Sequence, residues 1–179
     1  MKTVLFVLRL ALTLLAITAV VAVALAGVNM ITAPAIAELN AQNTQAAIEA
    51  VLPGGGEELA DFPAVNLVSK VYASDAGYAV QVTPGGFDNT ITMMVGVDKS
   101  GNVLGIDVIS HTETAGLGAV SDADTPAGIA FREQFKGATG SVSVTKDGGQ
   151  MDAITGATIT SRAVCAGVNA ALECVAQMG

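Results

Sequence analysis

The sequence predicts an α+β fold: one apolar N-terminal helix that crosses a membrane, then a small extracytoplasmic domain with an antiparallel sheet and flanking helices. Three observations predict it. Residues 10–33 carry no charge. Between residues 67 and 109, β-rich runs alternate with glycine-containing turns, which is the pattern of hairpins rather than of helical crossovers. Beyond them, Val164, Val168, Leu172 and Val175 recur at helical spacing.

The segment from Leu10 to Ala33, as a helix, would span roughly 36 Å, longer than a hydrocarbon core of about 30 Å, so a tilted crossing accommodates it. Lys2 and Arg9 lie on its N-terminal side. Basic flanks stay cytoplasmic, which places the chain after Pro34 outside. Ala24-Leu25-Ala26 and Ala35-Ile36-Ala37 fit small-x-small cleavage sites. The apolar run is longer than a usual signal core, however, and it reads as an uncleaved anchor. Residues 1–9 are then a cytoplasmic N-terminus and 10–33 the transmembrane anchor.

Residues 36–52 read as an amphipathic helix through Ile36, Leu39, Ile48, Val51 and Leu52, stopped by Pro53-Gly54-Gly55-Gly56. With an acidic loop over 57–63, this makes 34–63 a helical spacer and 64–179 the domain proper. Strands are expected over Leu67–Ala73 and Tyr78–Thr83, around the turn Ser74–Gly77. Two more are expected over Thr90–Val97 and Val103–Ile109, around Asp98–Asn102. Alternation in Ile91, Met93, Val95, Val97 and in Leu104, Ile106, Val108 predicts one buried and one wet face. A short helix follows over Thr125–Phe135, with Thr125 as cap and Pro126 at its first position. Ser141–Thr145 reads as a further strand. The last helix opens after Gly156, with Thr160 or Ser161 available as its cap.

Composition excludes some functions. Aromatic residues make up 4% of the chain, the formal net charge is −8, and beyond Arg9 six basic residues face sixteen acids. Neither base stacking nor neutralisation of a nucleic-acid backbone suits such a surface. Cys165 and Cys174 are nine apart on one predicted helix, half a turn out of registry, so they cannot bridge each other there. They read as packing residues or free thiols. His111 is the sole histidine, and no ligand spacing for a metal accompanies it. No catalytic dyad, nucleotide-phosphate loop or dinucleotide fingerprint appears.

Two stretches carry chemistry. Asp152-Ala-Ile-Thr155-Gly156-Ala157-Thr158-Ile-Thr-Ser161 sets hydroxyls and a glycine at the mouth of the last helix. Helix N-termini present unpaired N–H groups and favour negative charge, so a phosphate suits this place. Ordinary capping accounts for the same residue types. Ser110-His111-Thr-Glu113-Thr114-Ala115-Gly116-Leu117-Gly118 ends a strand in a polar turn whose glycines let backbone approach a flat ligand.

Together these two stretches resemble the covalent FMN-binding domains found in the G subunit of Rnf electron-transport complexes and in the C subunit of the sodium-translocating NADH:quinone reductase. The second stretch departs from the family pattern at Ala115, where proline is usual and would stiffen the turn. The resemblance covers roughly 64–179 and the single-anchor layout. It implies FMN joined through a phosphoester to Thr158, with Asp152 read by the flavin transferase that attaches it from FAD. It also implies that Glu113, Thr114, Gly116 and Leu117 border the ring, and that Thr155, Gly156 and Ala157 shape the approach. The implied role is an electron relay in an Rnf-type ferredoxin:NAD oxidoreductase that moves Na+ or H+, among iron–sulfur and flavin membrane subunits. The shorter length favours the Rnf protein over its quinone-reductase relative. A membrane-anchored scaffold without a cofactor is the reading from a different class, and the absence of flavin colour would identify it.

Overall fold

The computed structural model describes residues 2–179, with side chains from Val4 onward. The chain divides into two compact units after Gln42.

The first unit is helical and belongs to α1 (Lys2–Val51). The sequence places a helix boundary at Pro34, but the helix runs through that residue. Proline costs a helix interior about 3 kcal/mol. The residues after it, rich in Ala, Glu and Gln, are strong helix formers that offset the loss. Large apolar side chains from Val4 to Leu39 are 51% to 78% exposed. A helix that is long and apolar enough to cross a membrane is thus bare of protein cover. Its hydroxyls are satisfied internally: Thr13, Thr18 and Thr32 donate to the carbonyls of Arg9, Leu14 and Val28 at 2.8, 3.0 and 3.0 Å. That self-sufficiency is what hydrocarbon surroundings require of a polar group.

The second unit, Asn43–Gly179, is built on a five-stranded antiparallel meander: β1 (Glu57–Glu58), β2 (Val68–Ala73), β3 (Gly77–Val82), β4 (Thr92–Asp98) and β5 (Val103–Ser110). The four expected strands lie where alternation puts them. The expected acidic loop also supplies β1, which pairs Glu57 with Ala73 and Glu58 with Tyr72. On one face, Val71, Val80, Val82, Met93, Val95 and Val97 pack with α3 (Thr158–Met178) and with Phe131 and Phe135. Phe131 belongs to α2 (Pro126–Glu133).

The other face is not wet. Ala47, Ile48, Val51 and Leu52 bury against Tyr72, Ala79 and Met94. Gly96 of β4 lies against the Val51 carbonyl so closely that a Cβ would collide with it. The stretch expected to be a spacer therefore ends as a wall of the core, and β4 is buried on both sides. The apolar stripe that suits a spacer helix suits a packed helix equally well.

Ser141–Thr145 forms no strand in the sheet. Val142 and Val144 are buried, but the backbone of Val142 is paired by a side chain. Its N–H donates to Asn169 Oδ1 at 2.7 Å, and Asn169 Nδ2 donates to its carbonyl at 2.9 Å. An amide on α3 thus takes the place of a neighbouring strand. The segment contributes one parallel bridge, Val144 to Met151, then a 3-10 turn at Thr145–Asp147.

Three irregular segments converge at the start of α3: the β3–β4 connection around Phe87, the 111–118 loop after β5, and the 145–157 stretch.

Candidate functional site: the first turn of the last helix

Glu113 holds two of these segments to the helix. It is 8% exposed. The Phe87 N–H donates to its Oε1 at 2.7 Å and the Thr160 hydroxyl to its Oε2 at 2.6 Å. Gly86 and Gly118 crowd the same carboxylate, and a Cβ on either would strike its oxygens. Behind it, the Glu113 N–H donates to His111 Nδ1 at 3.1 Å, and His111 Nε2 faces Asp122 Oδ2 at 3.7 Å. The lone histidine is thus a hydrogen-bonded loop residue.

The second wall is the Asp152–Thr158 stretch. The backbone of Asp152 is clasped by Gln134, donating to Oε1 at 2.7 Å and accepting from Nε2 at 3.0 Å. Ser161 Oγ accepts from the Ile154 N–H and donates to the Ala157 carbonyl, each at 3.0 Å. Gly156 has φ +78°, a conformation that favours glycine. A Cβ there would come within 2.9 Å of Leu117 Cδ2.

Neither Thr160 nor Ser161 caps α3. The capping position is Ala157, which has no side-chain bond to offer, and Thr158 is the first helical residue. The first intrahelical pair is Ser161 N–H to Ala157 carbonyl at 3.0 Å. The amides of Thr158, Ile159 and Thr160 precede it and form the unpaired end of the helix. The candidate caps are drawn elsewhere, one to Glu113 and one to the Asp152 stretch.

Lys146 Nζ donates to Thr158 Oγ1 at 3.1 Å. Its neighbour Asp147 forms a two-pronged pair with Arg162, Nε to Oδ2 and Nη2 to Oδ1, both at 2.7 Å. Arg162 holds the Asp147 carboxyl below the usual carboxylate range. That pair neutralises itself, and among the described residues no carboxylate pairs with Lys146. An ammonium outside these ion pairs and an uncapped helix start therefore meet at the Thr158 hydroxyl.

The cleft above them has a volume of about 270 Å³. Its polar lining comes from Lys146, Thr158, Thr160, Thr114 and the Glu113 carboxylate. Apolar Phe87, Leu117 and Ile159 stand at its rim, 66%, 42% and 49% exposed. A ligand that joins an anionic group to an apolar body suits such a mixed lining.

Of the residues singled out in the sequence, Glu113, Thr114, Leu117, Gly156, Ala157 and Thr158 line this cleft, with Gly118 and Thr160. Gly116, Asp152 and Thr155 line an adjoining one with Phe131 and Gln134. Ile159, inside the Asp152–Ser161 stretch, also lines the first cleft, and Phe87 and Lys146 complete it without any signal in the sequence. Lys146 sits in a turn, twelve residues before Thr158, and no periodicity links the two. The cysteines are both buried and unpaired. Burial pushes the Cys165 thiol up to about 11 and raises that of Cys174. Both can be covered despite facing opposite ways because α3 is buried nearly all round, leaving one exposed stripe through Ile159, Arg162, Ala166, Glu173 and Ala176.

Residues 86–173, which contain both cleft walls and most of α3, match the FMN-binding domain family. The domain thus belongs to the class of FMN-binding domains. Likeness over nearly the full length narrows this. The chain is 33% identical to the G subunit of the Na(+)-translocating ferredoxin:NAD(+) oxidoreductase complex of Acetobacterium woodii, an alignment covering 93% of this chain and 90% of that one. It is 34% identical to the G subunit of the ion-translocating oxidoreductase complex of Stutzerimonas stutzeri, covering 91% and 78%. Identity to the G subunit of the proton-translocating ferredoxin:NAD(+) oxidoreductase complex of Clostridium ljungdahlii is 37% over 121 residues, 63% of each chain. The chain belongs to the family of G subunits of Rnf-type ion-translocating oxidoreductase complexes.

Proposed function

We propose that this chain is the electron-relay subunit of an Rnf-type ferredoxin:NAD oxidoreductase coupled to Na+ or H+ movement, and that it carries FMN covalently on Thr158. The observation that carries the reading is the meeting of the Thr158 hydroxyl, the Lys146 ammonium at 3.1 Å and an uncapped helix start. A phosphoester there would be held by the ammonium charge and by backbone N–H groups. The relatives matched over nearly the full length are G subunits of ion-translocating oxidoreductase complexes, which supports the Rnf reading over the quinone-reductase one.

Attachment is a phosphoryl transfer from FAD by a separate flavin transferase. The Thr158 Oγ–P bond forms, the P–O bond to AMP breaks, AMP leaves with the displaced charge, and the hydroxyl proton passes to the transferase or to water. An unactivated threonine does not do this alone. Lys146 and the amides of 158–160 then neutralise the tethered phosphate. Gln134 and Ser161 keep the Asp152 stretch in place so that Asp152 can be read by the transferase. Glu113, Thr114 and Leu117 would border the ring, and Phe87 and Ile159 would line the same cleft. Bound FMN supplies one- and two-electron carriage. Direct reaction with NADH or ferredoxin is left to other subunits. The basic flank of the apolar helix sets the N-terminus in the cytoplasm and the domain outside, where a tether prevents loss of a flavin that cannot readily be replaced.

The test is denaturing-gel fluorescence and intact mass after co-expression with a flavin transferase. The native chain is expected to stay fluorescent and to carry the added mass of one FMN. Thr158→Ala is expected to lose both. A native chain of unmodified mass would refute the reading and favour a scaffold.

A further inference from the structure

The Glu113 carboxylate has a second consequence, beyond joining loops. It is buried on the wall of the cleft, and both its oxygens accept hydrogen bonds from neutral donors, the Phe87 N–H and the Thr160 hydroxyl. Among the described residues no cation pairs with it. The nearby ionisable groups are placed otherwise: Lys146 is hydrogen-bonded to Thr158, and His111 faces Asp122 with its Nε2. A carboxylate away from water and outside any ion pair projects its charge further than one at the surface.

We propose that Glu113 is a potential-setting residue, whose buried, cation-free carboxylate on the cleft wall lowers the reduction potential of FMN held there. The inference rests on the FMN reading above. Reduction adds two electrons to the ring, with protons drawn from water. A fixed negative charge at the wall opposes that gain of electron density, so the reduced form is disfavoured and the midpoint moves down. A carboxylate that served only to clamp loops could be replaced by any group of the same shape. The size and hydrogen-bond geometry of Glu113 would then matter, and its sign would not.

The experiment is a redox titration of the flavinylated full chain in detergent, with dithionite as reductant and flavin absorbance as readout. Glu113→Gln keeps the shape and removes the charge, and its midpoint is expected to be more positive than wild type. Glu113→Asp keeps the charge and is expected to stay nearer to wild type than Glu113→Gln does. Thr160→Val removes one donor but leaves the carboxylate, and its midpoint, titrated at about pH 8 or above where the group stays ionised, is expected to fall, because the charge has one hydrogen bond fewer. An unmoved or lowered midpoint in Glu113→Gln overturns the proposal, as does a rise in Thr160→Val. Should Glu113→Gln fail to fold, the direction of Thr160→Val decides alone: a fall supports the proposal, and no change or a rise refutes it. A wild-type chain without flavin fails the earlier reading, whereas a yellow chain with an insensitive midpoint fails only this one.

Discussion

Two helices of this domain begin with opposite solutions to the same problem. At α2, Thr125 accepts from the Gly128 N–H at 3.2 Å, and Pro126 at the first position has no N–H to satisfy. That end is closed. At α3, Ala157 offers nothing, although Thr158, Thr160 and Ser161 are all in the first turn. Two of those hydroxyls are committed to Glu113 and to the Asp152 stretch, and the third accepts from Lys146. On the reading proposed above, the N–H groups of the uncapped start would serve the flavin phosphate. Capping is worth about 1 kcal/mol, a cost that a permanently held phosphate at the same place can offset.

Variants can break this comparison in order of effect. Thr158→Ala removes the point of attachment, and covalent flavin is expected to vanish while the fold persists, as checked by gel fluorescence and circular dichroism. Lys146→Met leaves the hydroxyl but removes the cation. A charge-assisted hydrogen bond contributes about 1.5–3 kcal/mol, so flavin incorporation at limiting transferase is expected to slow by about tenfold or more, measured by a time course of fluorescence. Thr125→Ala acts at the closed end: stability should fall by about 1 kcal/mol, a melting shift of about 2–4 °C for a chain of this size, with flavin content unchanged. If Thr125→Ala depleted flavin as strongly as Lys146→Met, the distinction between the two helix starts would be lost.

The smallest effect concerns the Asp147–Arg162 pair that leaves Lys146 without a carboxylate. Arg162 depresses the Asp147 carboxyl in the folded state. Its contribution to stability is therefore present above the unfolded value of about 3.9 and is lost as pH falls through the lower folded value. Both side chains are exposed, so the contribution is modest. The stability difference between wild type and Asp147→Asn, followed by denaturant titration, should be steady near neutrality and shrink below about pH 4. A difference that grew on acidification would contradict the assigned sign.

What could be read in advance follows from how far the physics reaches along the chain. Strands β2 to β5 were legible because strand patterning is local and the turns after β2 and β4 are short, while Pro84-Gly85-Gly86 marks the longer break after β3. The Thr158 stretch was legible because its motif is contiguous. Lys146 and Phe87 were not, since their places at the cleft depend on the Val144–Met151 bridge and on the Glu113 carboxylate. Ser141–Thr145 misleads for a related reason: its buried valines alternate as in a strand, but Asn169, far along the chain, satisfies its backbone instead. The role of 43–52 was ambiguous in principle, because an apolar stripe declares that one face is covered and not what covers it.

That last segment bears on how the carrier can be lost. The final turns of α1, with Leu52 just beyond them, close one face of the sheet. Proteolytic nicking in the glycine-rich link at 54–56 would not shed a finished domain. It would leave the sheet joined to Ala47, Ile48, Val51 and Leu52 by packing alone, and parting from them would bare Tyr72, Ala79 and Met94. With the flavin tethered as proposed, the redox group would be kept at the helix twice over, once by a covalent bond and once by the apolar surface that parting the sheet from the helix would expose.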